Sequence, residues 1–169
     1  MIEQIEGIEL TNLERVLNEY CMDFKARYTE SLEKSGRKAT GNLINSVDLK
    51  VSSMGTDITV TLNVADYYYY VENGRNAGKW PPRDKIEEWV MVKNIEPYTD
   101  SSGRLPTQKQ LAYLIQRKIG TQGFQGTHDL QNTSETMEQL YIQRFENAIQ
   151  QDFNIYEEKI LDSVVKNLQ

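Results

Sequence analysis

Leu10, Leu13, Val16, Leu17, Tyr20, Phe24, Tyr28 and Leu32 recur at steps of three and four. On a helix of 3.6 residues per turn this spacing puts them on one face, so the pattern predicts a long amphipathic helix over residues 11 to 34. Thr11 and Glu14 have the spacing of a capping box at its start, and Gly36 follows its end. Thr40 is then placed to cap a short helical turn that carries Leu43, Ile44 and Val47. The period next changes from helical to alternating. Val47, Leu49 and Val51, then Ile58, Val60, Leu62 and Val64, alternate with polar residues around Met54-Gly55-Thr56-Asp57. That is the signature of a two-stranded hairpin, and a hairpin with one apolar face needs a cover, here most economically the first helix.

The segment Ala65 to Trp89 is the densest in aromatic side chains. Tyr67-Tyr68-Tyr69-Tyr70-Val71 has strand propensity and predicts a third, edge strand with alternate rings facing in and out, and Asn73-Gly74 turns the chain after it. Pro82 suits the first turn of a helix and Asp84, Glu87 and Glu88 favour its positive end, so residues 82 to 93 are expected to be helical with Ile86, Trp89 and Val90 buried. Tyr98 to Pro106 reads as an exposed loop. Thr107 and Gln110 repeat the capping-box spacing before Leu111, Leu114, Ile115 and Ile119, and Gly120 or Gly123 ends that helix. From Ser134 onward Ile142, Phe145, Ile149, Phe153, Tyr156, Ile160, Val164 and Leu168 fall in helical phase with no Gly or Pro. Unbroken, such a helix is on the order of 50 Å long. A compact domain of this size has a radius of gyration of about 15 Å, so the helix is expected either to break near Gln151-Asp152 or to project.

Together these elements predict an α+β fold: an antiparallel sheet with a long N-terminal helix packed on it, further short helices and a long C-terminal helix. With 169 residues the chain fits a single domain, residues 1-169, without disulfides or metals to hold it. No apolar run approaches the length needed to cross a bilayer, and the acidic start has no signal-peptide character, so a cytoplasmic site of synthesis is expected. Cys21 falls on the apolar side of the first helix and reads as a buried, inert thiol.

The net charge of -6 is unevenly spread. Residues 1 to 35 carry eight acidic and four basic side chains, residues 127 to 169 eight and three, whereas residues 73 to 126 carry nine basic against five acidic. Acidic ends and a basic middle are suited to pairing between subunits, or else are solvated helix faces. Sequence-specific nucleic-acid binding is disfavoured by the overall charge.

Motifs that carry chemistry are missing from the sequence. There is no phosphate-binding loop, zinc or calcium spacing or nucleophile elbow. His128, in Gly126-Thr127-His128-Asp129, reads as an exposed loop residue rather than a base. Gly120-Thr121-Gln122-Gly123-Phe124-Gln125-Gly126 is an anion cradle or, more simply, a flexible loop or one adapted to a neighbour. Asp66, Glu72 and Asp84 near aromatic rings are the one constellation compatible with paired-carboxylate chemistry on a sugar or nucleic acid. Against that, Glu72 is readily explained as a partly buried acid satisfied by turn amides and Arg75.

The order Thr40-Gly41-x-Leu43-x-x-Ser46, two alternating strands, Tyr70-Val71-Glu72-x-Gly74-Arg75, a Pro-bearing loop, the Trp89 helix and Leu111-Ala112-x-x-Ile115 resembles the head-tail joining (neck or tail-completion) proteins of tailed bacteriophages. The likeness covers roughly residues 10-125, leaving 132-169 as a C-terminal helical extension. It departs from the family pattern in that acidic extension, in the Gly-rich loop and in the segment Tyr98 to Pro106. The resemblance implies a structural virion protein without catalytic residues, cofactor or metal, assembled in the host cytoplasm. It also implies a ring, of six or twelve copies by analogy, between the portal and head-closure proteins and the tail, with packaged DNA passing through it. Interface residues expected on this basis are Tyr68, Tyr70, Glu72, Arg75, Trp80 and Arg83, with Tyr156, Ile160 and Val164 of the extension. The alternatives are a small carbohydrate-active or nucleic-acid-processing enzyme using Glu72 and Asp84, and a generic protein-binding adaptor.

Overall fold

The computed structural model describes residues 8–36, 41–54, 57–99 and 103–167. Thr40, Gly55, Thr56 and Leu168, to which the sequence assigned a cap, a hairpin turn and the end of an apolar stripe, lie outside them. The fold is α+β, with a long N-terminal helix, two small antiparallel sheets, further short helices and a long C-terminal helix. In chain order the elements are α1 (Thr11–Lys34), α2 (Asn42–Ser46), β1 (Asp48–Met54), β2 (Asp57–Asn63), α3 (Tyr68–Asn73), β3 (Gly74–Arg75), α4 (Arg83–Val92), α5 (Gln108–Gln122), β4 (Phe124–Gln125) and α6 (Asp129–Asn167). They form two compact units, with the division falling inside α1 and near the start of α6.

The first unit holds α1 up to Thr29, the β1-β2 hairpin and α6 from Gln131. Val16, Cys21, Phe24 and Tyr28 of α1, Val47, and Met137, Tyr141 and Ala148 of α6 form its core. Each large apolar side chain so buried is worth roughly 1.5 to 3 kcal/mol. Aromatic rings join the two helices: Tyr20 meets Tyr141 edge-on at 5.3 Å and Phe145 at 5.6 Å. The Tyr141 hydroxyl donates to Asp23 Oδ2 at 2.6 Å. Arg144 lies over the Tyr141 ring at 4.4 Å and pairs with Glu19. The hairpin keeps one register throughout, from Asp48 opposite Asn63 to Met54 opposite Asp57, with Leu49, Val51, Ile58 and Leu62 half-buried.

The start of α1 differs from the sequence expectation. Thr11 is already inside the helix, and no Thr11–Glu14 capping bond forms among the described residues. The acceptor comes instead from α6: Asp152 Oδ1 receives the Asn12 amide at 2.9 Å and the Asn12 side chain at 2.8 Å, and Oδ2 receives the Leu13 amide at 2.9 Å. A carboxylate at a helix N-terminus satisfies free amides and faces the positive end of the dipole. Asp152 is only 1% exposed. Helix α6, expected to break near Gln151-Asp152 or to project, does not break there but runs unbroken for 39 residues, about 58 Å at 1.5 Å per residue.

The second unit holds the end of α1, α2, and the chain from Val64 to Leu130. Leu32, Leu43, Val90 and Ala112 are buried in it, and α4 packs on α5. Ser46 Oγ donates to the Leu43 carbonyl and accepts from the Ala65 amide at 2.9 Å, joining α2 to the segment before α3. The capping box at Thr107 and Gln110 forms as expected, with both reciprocal bonds present, and Gly123 closes α5.

The tyrosine run is the main correction. Residues 68 to 73 are helical, not a third strand, because the chain is turned before them by Tyr68 and Tyr70 amides donating to the Ala65 and Tyr67 carbonyls. Strand propensity reflects fit to a neighbouring strand, and here the available pairing is taken by the two residues after the run. Gly74 and Arg75 pair antiparallel with Gln125 and Phe124. Helix α4 starts one residue later than expected, with Pro82 in the capping position, and Trp89 is 38% exposed while Val90 is buried.

Candidate functional site

The glycines around β4 serve close backbone approach. A Cβ at Gly126 would collide with the Glu72 carbonyl, and one at Gly74 with that of Phe124. This lets the Thr127 and His128 amides donate to the Val71 and Glu72 carbonyls at 3.0 and 3.2 Å, closing the end of α3. Of the readings of residues 120–126, Gly123 and Gly126 take the one adapted to a neighbour, against the backbone of Arg75 and Glu72, while residues 120–122 belong to α5. Glu72 is buried, and its Oε2 accepts from the Leu130 amide at 2.9 Å, in the first turn of α6. The acid is therefore held by a helix start, not by Arg75 as the sequence suggested. Asp66 and Asp84 are exposed, and no cluster of three or more His, Cys, Asp or Glu able to hold a metal occurs among the described residues.

Arg75 has another task. Its guanidinium sits 5.0 Å from the centre of the Tyr70 ring, while Nε donates to the Lys79 carbonyl at 3.0 Å and Nη2 to the Trp80 carbonyl at 3.3 Å. Tyr69 packs edge-on against Tyr70 at 5.9 Å. The indole of Trp80 lies flat on Gly120 of α5, where a Cβ would come within 2.7 to 2.9 Å of three ring atoms. Gly78 donates to the Gly120 carbonyl, and Gln116 to that of Pro81 at 2.8 Å, so the loop 78–81 is strapped across α5. Beyond it Arg83 lies 5.8 Å over the Tyr113 ring.

In the second unit Tyr69, Tyr70 and Arg75 are thus joined by ring and guanidinium contacts, Arg75 holds the Trp80 backbone, the Trp80 ring lies on Gly120 of α5, and Arg83 covers Tyr113 of the same helix. The rings stay open: Tyr69, Tyr70, Trp80 and Tyr113 are 57%, 46%, 48% and 43% exposed. Exposed, internally braced aromatic and arginine side chains are the composition of protein contact surfaces, because little side-chain freedom remains to be lost on binding. The arrangement gathers four of the expected residues, Tyr70, Arg75, Trp80 and Arg83. Tyr68 is half-buried, and Glu72 braces the surface from within. Tyr69, Tyr113 and Gln116 were not among the expected interface residues, and Gly120, read from sequence as a possible helix end or as part of the Gly-rich segment, lies inside α5 under the Trp80 ring.

On α6 the covered line is Met137, Tyr141, Ala148 and Asp152. Tyr156 and Ile160 are half-buried, whereas Ile142, Phe153 and Val164 remain about half exposed. The stripe expected from sequence is therefore the outer one over much of its length.

Compared with known protein families, with characterised proteins and with solved structures, the chain has no significant match.

Proposed function

We propose that the chain is a structural subunit of a bacteriophage neck ring, joining the portal and head-closure complex to the tail. The observation that carries this reading is the set of braced, exposed aromatic and arginine side chains between Tyr69 and Arg83 and on α5. Its side chains are committed to one another and to backbone carbonyls, an arrangement suited to pressing against protein rather than turning over a substrate. The ordered motifs that resemble the head-tail joining proteins support the same reading, since they fall on α2, the hairpin, α3 with β3, α4 and α5. Its partners are further copies of itself and the adjoining neck and tail proteins, and its place is the virion.

Deletion of the protein in its phage is expected to leave filled heads and free tails, visible by electron microscopy. Normally joined particles in the deletion would overturn the assignment.

A further inference from the structure

We infer that the outer strip of α6 docks on the basic aromatic surface of a second copy of this chain. Ile142, Ile149, Phe153, Ile160 and Val164 follow one another at steps of seven and four, an eleven-residue period that keeps them on one line of a helix. Glu135, Glu138, Glu146 and Glu157 lie along the same line and are exposed. A shallow groove lined by Glu135, Glu138, Gln139 and Ile142 opens at its N-terminal end. The three basic residues of the helix do not reach this strip: Arg144 pairs with Glu19 and Lys159 with Glu9, and helical phase puts these two and Lys166 on other sides.

An apolar strip flanked by acids of one sign cannot pair with its own copy without setting like charges together, and an anionic membrane repels it as well. Its complement is apolar and basic. Lys79 beside Trp80, and Lys109 and Arg117 one turn either side of Tyr113 on α5, are exposed, and none of them is in an ion pair among the described residues. The unit that contains them has twelve basic and ten acidic residues, and the unit containing most of α6 has seven and fifteen.

Donor strip and acceptor surface differ, so the contact is heterologous and propagates head to tail. It deepens the neck reading and rests on it for closure into a ring. From Ile142 to Val164 the strip spans about 33 Å, and with a helix roughly 10 Å wide it covers less than the roughly 800 Å² per partner of a standard stable interface. A single contact is accordingly weak, and several copies held together strengthen it.

Two charge-swapped proteins test this: Glu146→Lys with Glu157→Lys, and Lys109→Glu with Arg117→Glu. Sedimentation equilibrium at low ionic strength should show weak self-association of the wild type. Association of each variant alone should fall about ten-fold, and an equimolar mixture should regain it, because each variant then complements the other. Matching thermal melts establish that all three proteins are folded. Unchanged association of either variant alone, or a mixture that stays monomeric, overturns the inference. The two readings fail separately: loss of complementation with heads and tails unjoined in the deletion removes only this contact. Complementation beside normal joining in the deletion removes only the neck role.

Discussion

Asp152 shows how much one side chain settles. It supplies both acceptors for the first amides of α1 from within α6, so Asp152→Ala is expected to cost about 2 kcal/mol of unfolding free energy, and Asp152→Asn, which keeps one acceptor oxygen, less. Urea denaturation measures both. Tyr141 gives a signed pH effect: burial first, then its hydrogen bond to Asp23, raises the hydroxyl above its ordinary value of 10.0. The folded chain keeps that proton where the unfolded chain loses it. The contribution is therefore whole below pH 10.0 and fades as pH rises through the higher folded value. Stability should fall on that alkaline side, and less steeply in Tyr141→Phe, which has no proton to release. At Glu72 the amide of Leu130 needs an acceptor and not a charge. Glu72→Gln and Asp84→Asn are expected to leave particle assembly unchanged, whereas Glu72→Leu should cost about 1 to 3 kcal/mol. Loss of infectivity in Asp84→Asn with normal folding would instead favour the enzyme reading.

At the scale of elements, what was legible in the sequence was whatever rests on local chemistry. The periodicity of α1, the alternation of β1 and β2, and the box at Thr107 and Gln110 are set within a few residues and are found where expected. The tyrosine run was misread because its state depends on a pairing between Gly74-Arg75 and Phe124-Gln125, some fifty positions apart. The inner line of α6 was hidden because it is built partly from Thr133, Ala148 and Asp152, residues that an apolar count passes over. Of the site, the clustered aromatics and arginines of residues 68–83 could be seen in advance; the parts of Tyr113 and Gly120 could not, since α5 brings them to Arg83 and Trp80 only in three dimensions. Gly120→Ala tests that meeting. The new methyl would overlap the Trp80 ring, and overpacking of this kind costs about 1 to 3 kcal/mol unless the indole swings away. In a Trp89→Phe background the Trp80 emission should therefore shift.

For the whole molecule, the contact area available to any one strip favours an isolated chain that is monomeric or weakly associated, which on the proposed neck reading gathers into a ring only on the preceding neck component. Light scattering at micromolar concentration decides this, and a salt-resistant ring would contradict it. Truncation after Phe153 retains Asp152 and the inner line up to it. It should leave a cooperatively folded protein of similar thermal stability that no longer enters particles. The clasp between Asp152 and the amides of Asn12 and Leu13 also has a bearing on birth. The cap joins residues 140 positions apart, and the unit around it is made from the first, a middle and the last stretch of chain. On the ribosome, where chains fold from their N-terminal side, α1 emerges early yet waits for some 140 further residues before its first turn is finished. A product cut short before Asp152 thus lacks the clasp, and the first turn of α1 is left without its acceptor.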